Sequence, residues 1–320
     1  MIKGAKKLVD ECVKVKEGEN VLIITDTGMP LSIAETLAIA CNERGADAMI
    51  TLMTPRSGAV IDAPPPLAEA MQKAQVIFMV LSQGIYHAPS TMRARNAGAR
   101  GISLKDWREE DLCRGTIEAN FLETKELIKK VGDSFRKAKE AQVTSPAGTK
   151  IYFDLKGRTE GVLELDNLCH QPGQFGIMVL EASISPKEGT AQGVIVCDAS
   201  VTLLKPGLVN EPVRALVKDG MVTEISGGIE AKKLSDLLAA KGDPMVYNVA
   251  ELGVGLNPMG KITGVQSHDE GAFGMCHIGI GHNTAWGGRV KAPTHFDFVM
   301  YAAKIELDGI TLLENYKFNL

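Results

Sequence analysis

The chain has 320 residues, of which 45% are hydrophobic and 23% charged, and its formal net charge is −4 at pH 7. This length suits two domains of ordinary size, and the apolar content is enough to give each a sizeable core. A slightly acidic chain gives no electrostatic reason to expect nucleic acid or an anionic membrane as a partner.

Features related to cellular location point in one direction. No apolar run approaches the roughly 20 residues that a membrane-spanning helix needs. The basic N-terminal residues are followed by Asp10 and Glu11, where a signal peptide would have an apolar stretch. The six cysteines are scattered without a C-x-x-C pair, which favours reduced thiols over a disulfide framework. We therefore expect a cytoplasmic protein.

The first 140 residues alternate between apolar strands and helices. Short apolar runs and amphipathic spacing predict strands at 21–25, 48–53, 75–81 and 100–104, helices at 2–15, 31–44, 67–74 and 120–142, and a Pro- and Gly-rich loop at 55–66. Strands that alternate with helices at this spacing predict a parallel, doubly wound sheet.

Two loops of this region have positions typical of ligand sites. Asp26-Thr27-Gly28 has the position of a phosphate-binding loop, but neither a G-x-G-x-x-G motif nor a Walker lysine is present. We therefore expect no nucleotide cofactor. The loop after the third strand carries Tyr86 and His87 at the edge where such sheets bind ligands, so these two residues are candidates for substrate contacts.

The pattern changes near residue 140. Alternating strands separated by Gly-rich turns follow, with one helix at 230–240, and this pattern is typical of antiparallel sheets. We therefore predict an α/β fold with two domains. Residues 1–140 form a Rossmann-like domain with a parallel sheet, and residues 141–320 form a strand-rich, mixed α/β domain that binds metal and carries out catalysis.

Histidines are concentrated in one part of the second domain, where four of the six lie between His268 and His295. On a strand, His295 and Asp297 share one face, because side chains alternate with a period of two. A neutral imidazole and a carboxylate on one strand face can chelate a divalent metal ion. On the preceding strand, His277 shares a face with Gly279 and Gly281, which leaves room for a metal, a water and a substrate.

Two glutamates complete the candidate ligand set. Glu181 and Glu251 lie in apolar stretches, where an ionised carboxylate is costly to bury unless a cation or a donor meets it. With two histidines and Asp297 they supply five ligands, enough for one metal with open positions or for two metals that share a bridging carboxylate. The neighbouring acids Asp269 and Glu270 precede a glycine and are predicted to form a solvated turn.

These motifs resemble those of the aminopeptidase T family of metallopeptidases. That family has a glutamate before a Pro-x-x-G turn, a glutamate beside glycine in an apolar stretch, an H-x-A-x-G strand and a C-terminal H-x-D. The corresponding residues here are Glu181, Glu251, His277, His295 and Asp297. The resemblance implies two metal ions held by these five residues, a homodimer, and hydrolysis of the N-terminal residue of a short peptide.

The chain departs from the peptidases in two ways, because it is shorter and has Thr284 where they carry a tyrosine seven residues after the histidine of the H-x-A-x-G strand. A branch of the same superfamily, similar to 2,5-dihydroxypyridine 5,6-dioxygenase, opens a hydroxylated pyridine ring with one Fe(II) held by histidines and the H-x-D motif. The length and the loop at His282 and Asn283, two candidates for substrate contacts, are closer to this branch. Glu181 and Glu251 are closer to the hydrolases.

The first functional prediction is therefore a metal-dependent, aminopeptidase-like hydrolase with Zn, Mn or Co, acting through a metal-activated water. Glu181 or Glu251 would ligate or bridge the metals and accept the proton of the water. The alternative is an Fe(II)-dependent ring-cleaving dioxygenase. A third hypothesis, from a different class, is a metal-free relative that only binds a small ligand.

Overall fold

The computed structural model describes residues 1–56 and 61–320, so residues 57–60 of the loop predicted at 55–66 lie outside the described residues. The helices are α1 (Ile2–Lys7), α2 (Leu31–Glu43), α3 (Pro65–Met71), α4 (Pro89–Asn96), α5 (Phe121–Lys137), α6 (Ile229–Ala239) and α7 (Gln266–Asp269). The strands are β1 (Asn20–Asp26), β2 (Asp47–Met53), β3 (Val76–Val80), β4 (Arg100–Ser103), β5 (Glu140–Thr144), β6 (Lys150–Asp154), β7 (Val162–Leu165), β8 (Phe175–Gly176), β9 (Glu181–Ile184), β10 (Gln192–Cys197), β11 (Ser200–Val201), β12 (Val213–Lys218), β13 (Met221–Ser226), β14 (Val249–Gly255), β15 (Cys276–Gly281), β16 (His295–Met300), β17 (Lys304–Leu307), β18 (Ile310–Glu314) and β19 (Lys317–Phe318).

The chain divides into two compact units. The first comprises Met1–Glu123 and Leu165–Val179 and contains a five-stranded sheet in the order β2-β1-β3-β4-β8, with parallel pairing throughout. All five residues of β3 are buried, as expected for a central strand of a sheet covered on both faces. The α/β fold class with a parallel sheet is confirmed.

Protein groups close the loop after β1 of the first unit. The buried carboxylate of Asp26 accepts hydrogen bonds from the backbone N–H of Gly28 at 2.8 Å and from the N–H and Oγ of Ser82, both at 2.9 Å. The loop therefore joins the ends of β1 and β3 through its own side chain.

The second unit comprises Thr124–Glu164 and Leu180–Leu320. It contains an eight-stranded sheet in the order β13-β12-β10-β6-β5-β17-β18-β19 and a six-stranded sheet in the order β11-β16-β15-β14-β9-β7. The pairs in both sheets whose register is resolved are antiparallel, which agrees with the strand-rich second half that the sequence predicts. All residues of β14 and β15 are buried, and these two central strands carry Glu251 and His277.

Two boundaries differ from those that the sequence predicts. The helix predicted at 120–142 ends at Lys137, because Ala141 and Val143 alternate as buried residues of β5, which pairs with β6 and β17. The first unit does not end near residue 140. Instead, the chain enters the second unit at Thr124 and returns at 165–179, where β8 pairs with β4. Within the described residues, no helix has the length and apolar content needed to cross a bilayer.

Candidate metal centre

Four adjacent strands of the six-stranded sheet, β9, β14, β15 and β16, position the candidate ligands. In the antiparallel register, Glu251 lies opposite Gly279, and Gly279 lies opposite Asp297 on the next strand. Residues opposite one another point to the same face of a sheet. The two carboxylates therefore flank a position without a side chain, and the space between them stays open.

Glycines also make room for the imidazoles. A Cβ atom at Gly253, the cross-strand partner of His277, would lie only 1.9 Å from Nε2 of that histidine. A Cβ atom at Gly279 would lie 2.8 Å from Nε2 of His295 and 2.7 Å from the Cβ of Glu251. The rings therefore lie directly over strand backbone, a close approach that only glycine permits.

The side chains converge on Glu251. Nε2 of His277 lies 3.6 Å from Oε1 of Glu251 and 3.3 Å from Oε2 of Glu181. Nε2 of His295 lies 3.0 Å from Oε2 of Glu251 and 3.5 Å from Oδ1 of Asp297. The five residues that the sequence singles out as metal ligands are thus brought into one buried cluster, with one carboxylate between the two imidazoles.

The orientation of His295 is fixed by its other ring nitrogen. Nδ1 lies 2.8 Å from the carbonyl oxygen of His282 and donates its proton there, so Nε2 is the ring nitrogen that faces the carboxylates and would bind a metal. The indole of Trp286 stacks on the imidazole with ring centroids 4.8 Å apart, and its N–H donates to Oγ of Ser183 at 2.9 Å. A histidine that binds metal through one ring nitrogen usually donates its other N–H to a group such as this carbonyl oxygen of His282.

Asp297 is held by a threonine and lies beside a fourth buried acid. Its backbone N–H donates to Oγ1 of Thr202 at 2.8 Å, and Oγ1 lies 3.3 Å from Oδ2 of the carboxylate. Glu270 is only 6% exposed, and its carboxyl group lies against Asp297. The prediction of a solvated turn at Asp269 and Glu270 is wrong. Asp269 is fully buried, and the hydrogen bonds that it accepts from the N–H groups of Thr263 and Gly264 offset the cost of burying its carboxylate.

The ionisable groups of the cluster have strongly shifted pKa values. Burial raises the pKa of Glu181 to about 8, because attraction to His277 only partly offsets desolvation and the repulsion from Glu251 and Asp297. Burial opposes a charge on His277, but the carboxylates of Glu181 and Glu251 outweigh it and raise its pKa to about 9. Burial and the charge on Asp297 raise the pKa of Glu270. The cluster therefore has an excess of acidic groups and favours bound positive charge.

The residues present fit a divalent metal. Two overlapping groups each offer three ligand atoms within 4.8 Å of one another, namely Glu181, Glu251 and His277, and Glu251, His295 and Asp297. Oε2 of Glu181, Oε1 of Glu251 and Oδ1 of Asp297 are buried, and no described residue donates a hydrogen bond to them. Buried carboxylate oxygens without donors, together with imidazole nitrogens, suit a divalent cation.

The candidate substrate residues occupy different surroundings. His282 is half-buried, with its ring 5.1 Å from that of His295, whereas Asn283 is fully buried and its amide donates to Oγ of Ser185 at 3.1 Å. In the first unit, Tyr86 donates its hydroxyl to the carbonyl oxygen of Phe175 at 2.9 Å, and its ring lies 4.8 Å from that of the adjacent His87. Asn283 and Tyr86 therefore have a structural role in these contacts.

Comparison with known proteins gives one family model that matches almost the whole chain and one curated relative that matches about half of it. The sequence model of the NicX family, described as 2,5-dihydroxypyridine 5,6-dioxygenase, matches residues 1–319. A 2,5-dihydroxypyridine 5,6-dioxygenase from Pseudomonas putida is 29% identical over 185 residues. This alignment covers 54% of the present chain and 52% of the relative, so the chain spans about half the length of the curated relative that it matches.

Two solved structures share the fold. The 2,5-dihydroxypyridine dioxygenase of Pseudomonas putida KT2440 superposes with a TM-score of 0.84 at 18% identity, covering 99% of this chain and 96% of the other. Wild-type AmpT from Thermus thermophilus superposes with a TM-score of 0.71 at 14% identity, covering 100% and 98%. The resemblance to the aminopeptidase T-like proteins and their dioxygenase branch is confirmed, and the chain belongs to the 2,5-dihydroxypyridine 5,6-dioxygenase (NicX) family.

Proposed function

We propose that the protein is an Fe(II)-dependent dioxygenase that opens a hydroxylated pyridine or a closely related aromatic ring. The observation that carries the proposal is the match of residues 1–319 to the NicX family, in a chain that retains a buried histidine and carboxylate cluster. This order reverses the first expectation from the sequence, in which a hydrolase came before the dioxygenase.

The donor set supports iron. We assign His277, His295 and Asp297 as the protein ligands, because two histidines and one carboxylate form the ligand set typical of non-haem Fe(II) oxygenases. Both imidazoles present Nε2 to the same carboxylate, that of Glu251, at 3.6 and 3.0 Å. Bound Fe(II) would supply the redox chemistry by which a ring bond is broken and both atoms of O₂ enter the ring-opened product.

The remaining residues orient the ligands and move protons. Trp286 and the carbonyl group of His282 hold the ring of His295, and the low exposure of the indole, 8%, keeps water from that side of the imidazole. We assign Glu181 as the group that exchanges a proton with a ring hydroxyl, since no described residue donates a hydrogen bond to its Oε2.

A metal-reconstitution experiment tests the proposal. Metal-free protein is loaded under argon with Fe(II), or separately with Zn, Mn or Co, and oxygen uptake is then followed with 2,5-dihydroxypyridine. We expect one O₂ per ring opened with Fe(II) only, and no uptake by a His295→Ala control. If none of the four metals is taken up, the proposal fails in favour of a protein that only binds a small ligand.

Metallohydrolysis is the second candidate, and one observation favours it. The two groups of potential ligands share Glu251, and a shared carboxylate is the arrangement expected of a two-metal hydrolytic site. Release of p-nitroaniline from aminoacyl p-nitroanilides under argon with Zn, Mn or Co, without oxygen uptake on the pyridine, would establish this function and refute the dioxygenase. The chain departs from the peptidases at Thr284, which stands where they carry a tyrosine. Thr284 is exposed at the start of a short helical turn.

We further propose that the protein acts on a small molecule and forms a homodimer. Light scattering at micromolar concentration tests the assembly, since a mass equal to the 34.3 kDa of one chain would contradict it.

A further inference from the structure

A basic cleft lies on the second unit, outside the ligand cluster. It has a volume of about 630 Å³ and is lined by Lys156, Gly157, Arg158, Lys187, Glu188, Met245, Arg289, Val290 and Lys291. Five of these residues are cationic and one is anionic, so the lining has a net charge of +4. The whole chain is acidic, at −4, and the cleft therefore concentrates positive charge against the overall balance.

The cleft has a defined framework. The guanidinium group of Arg158 forms an ion pair with Glu188 and also donates to the carbonyl oxygen of Gly287 at 3.3 Å. Oε1 of Glu188 accepts hydrogen bonds from the backbone N–H of Arg289 at 2.8 Å and from the amide of Asn283 at 3.0 Å. The carboxylate of Glu188 thus connects the loops at 156–158, 187–188 and 283–289.

The other four cations of the lining have no acidic partner among the described residues. Lys156, Lys187, Arg289 and Lys291 are exposed, and no carboxylate in the described part of the chain lies within salt-bridge distance of their side chains. Their charges converge on one concave surface whose single carboxylate is already neutralised by Arg158. Like charges held together without counterions repel one another, and an anion in the cleft would relieve this repulsion.

The cleft shares a loop with the candidate metal centre. Asn283, which is bound to Glu188, begins the turn that carries Trp286, and Trp286 stacks on His295. Arg289 and Lys291 therefore lie on the same loop, between β15 and β16, that carries Trp286 to a proposed iron ligand.

We propose that this cleft binds a small molecule that carries at least two negative charges, as carboxylate or phosphate groups. Lysine offers a point charge and arginine a planar pair of donors to such oxygens. Such an anion has two sources, an acidic substituent of the substrate itself or a separate acidic effector. The first source rests on the dioxygenase proposed above, whereas binding of the anion does not.

Calorimetric titration of metal-free protein with inorganic pyrophosphate at low ionic strength tests the site. We expect saturable binding that weakens as salt is added, because exposed charges are screened. The Lys187→Gln/Lys291→Gln variant should bind about tenfold more weakly, since two of the converging charges are lost. The Lys129→Gln/Lys130→Gln variant, which removes two exposed charges of α5, serves as the control and should bind like the wild type.

The outcomes separate the hypotheses. No binding by the wild type, or equal binding by the wild type and the cleft variant, would overturn the anion site whatever the enzyme does. If the acid belongs to the substrate, the cleft variant raises KM for a carboxylated dihydroxypyridine and leaves KM for neutral 2,5-dihydroxypyridine unchanged. If the acid is a separate effector, pyrophosphate changes turnover of the neutral ring in the wild type and loses this effect in the cleft variant.

Discussion

Replacing Gly253 with alanine tests the geometry of the cluster most directly. The added Cβ would lie 1.9 Å from Nε2 and 2.5 Å from Cε1 of His277. Non-bonded carbon atoms are comfortable only from about 3.5 Å, so the imidazole must move by roughly 1.5 Å. The ring has little free space, because His277 is only 1% exposed.

This shift is large compared with the tolerance of a metal site, where ligand distances hold to about 0.2 Å. We expect Gly253→Ala to weaken metal binding by about 10- to 100-fold, as losses of ligand orientation do elsewhere. Overpacking of the buried strand pair should also lower the free energy of unfolding by about 1–3 kcal/mol. Elemental analysis after dialysis against a buffered metal, together with urea denaturation, measures both effects.

Two controls sharpen the test. Gly84→Ala places a Cβ 3.4 Å from the side chain of Lys105, an ordinary contact, and should change neither quantity by much. The double variant Gly253→Ala/His277→Ala removes the clash, so it should recover stability relative to Gly253→Ala but not metal binding. Wild-type metal affinity together with wild-type stability in Gly253→Ala would refute the placement of His277 over this glycine.

Three further predictions concern metal content and stability. His295→Ala and Asp297→Ala should each lose bound metal by elemental analysis while keeping the far-ultraviolet circular dichroism of the wild type; full occupancy in both would contradict the ligand assignment. Removal of metal with a chelator should lower Tm, and re-addition should restore it, because an ion that binds only the folded state stabilises that state; an unchanged Tm would count against a bound ion. Arg100→Met should lower the free energy of unfolding at pH 7 by about 2–3 kcal/mol, because Arg100 donates to both oxygens of Glu19 at 2.8 Å. Burial opposes ionisation of Glu19, but its hydrogen bonds to Arg100 outweigh burial and lower its pKa. The stabilisation from this ion pair is therefore present above the ordinary glutamate pKa and is lost as pH falls from about 5. The acid denaturation curve of the variant should lack this loss.

Local patterns in the sequence were sufficient to predict one half of the site. The period of two along β16 puts His295 and Asp297 on one face, and the structure brings their side chains to 3.5 Å while Phe296 and Phe298 pack on the other face. Apolar neighbours also identified Glu251 as a carboxylate that needs a buried partner. Periodicity within one strand carries this information, and no long-range contact is needed to read it.

The other half depends on strand register, which the sequence does not specify. The sequence predicts a solvated turn at Glu270, because acids before a glycine are usually exposed, yet α7 leads Glu270 into the cluster beside Asp297. Trp286 lies in the same loop as His282 and Asn283, and no periodic pattern in the sequence places its indole over His295. A usable signal was present in Gly253 and Gly279, since glycine inside a strand marks a close approach of another group.

The domain boundary was predicted less well for a similar reason. β8 has two residues, and its pairing with β4 takes 165–179 into the first unit from a position far along the chain. A two-residue strand leaves no periodic pattern. The end of α5 was missed because the helix and β5 are separated by only two residues, and their apolar positions read as one continuous amphipathic segment.

Glu251 separates the two candidate functions, and its substitution is the last prediction. In a two-metal hydrolase the carboxylate is shared between the two ligand groups, so Glu251→Gln weakens both and removes most of the metal. In the single-iron site proposed above, His277, His295 and Asp297 suffice. The amide keeps the shape of the carboxylate between the imidazoles. We therefore expect Glu251→Gln, loaded under argon, to keep close to one Fe(II) per chain. Loss of the iron together with loss of Zn or Mn would instead make Glu251 an obligatory ligand and return the hydrolase to first place.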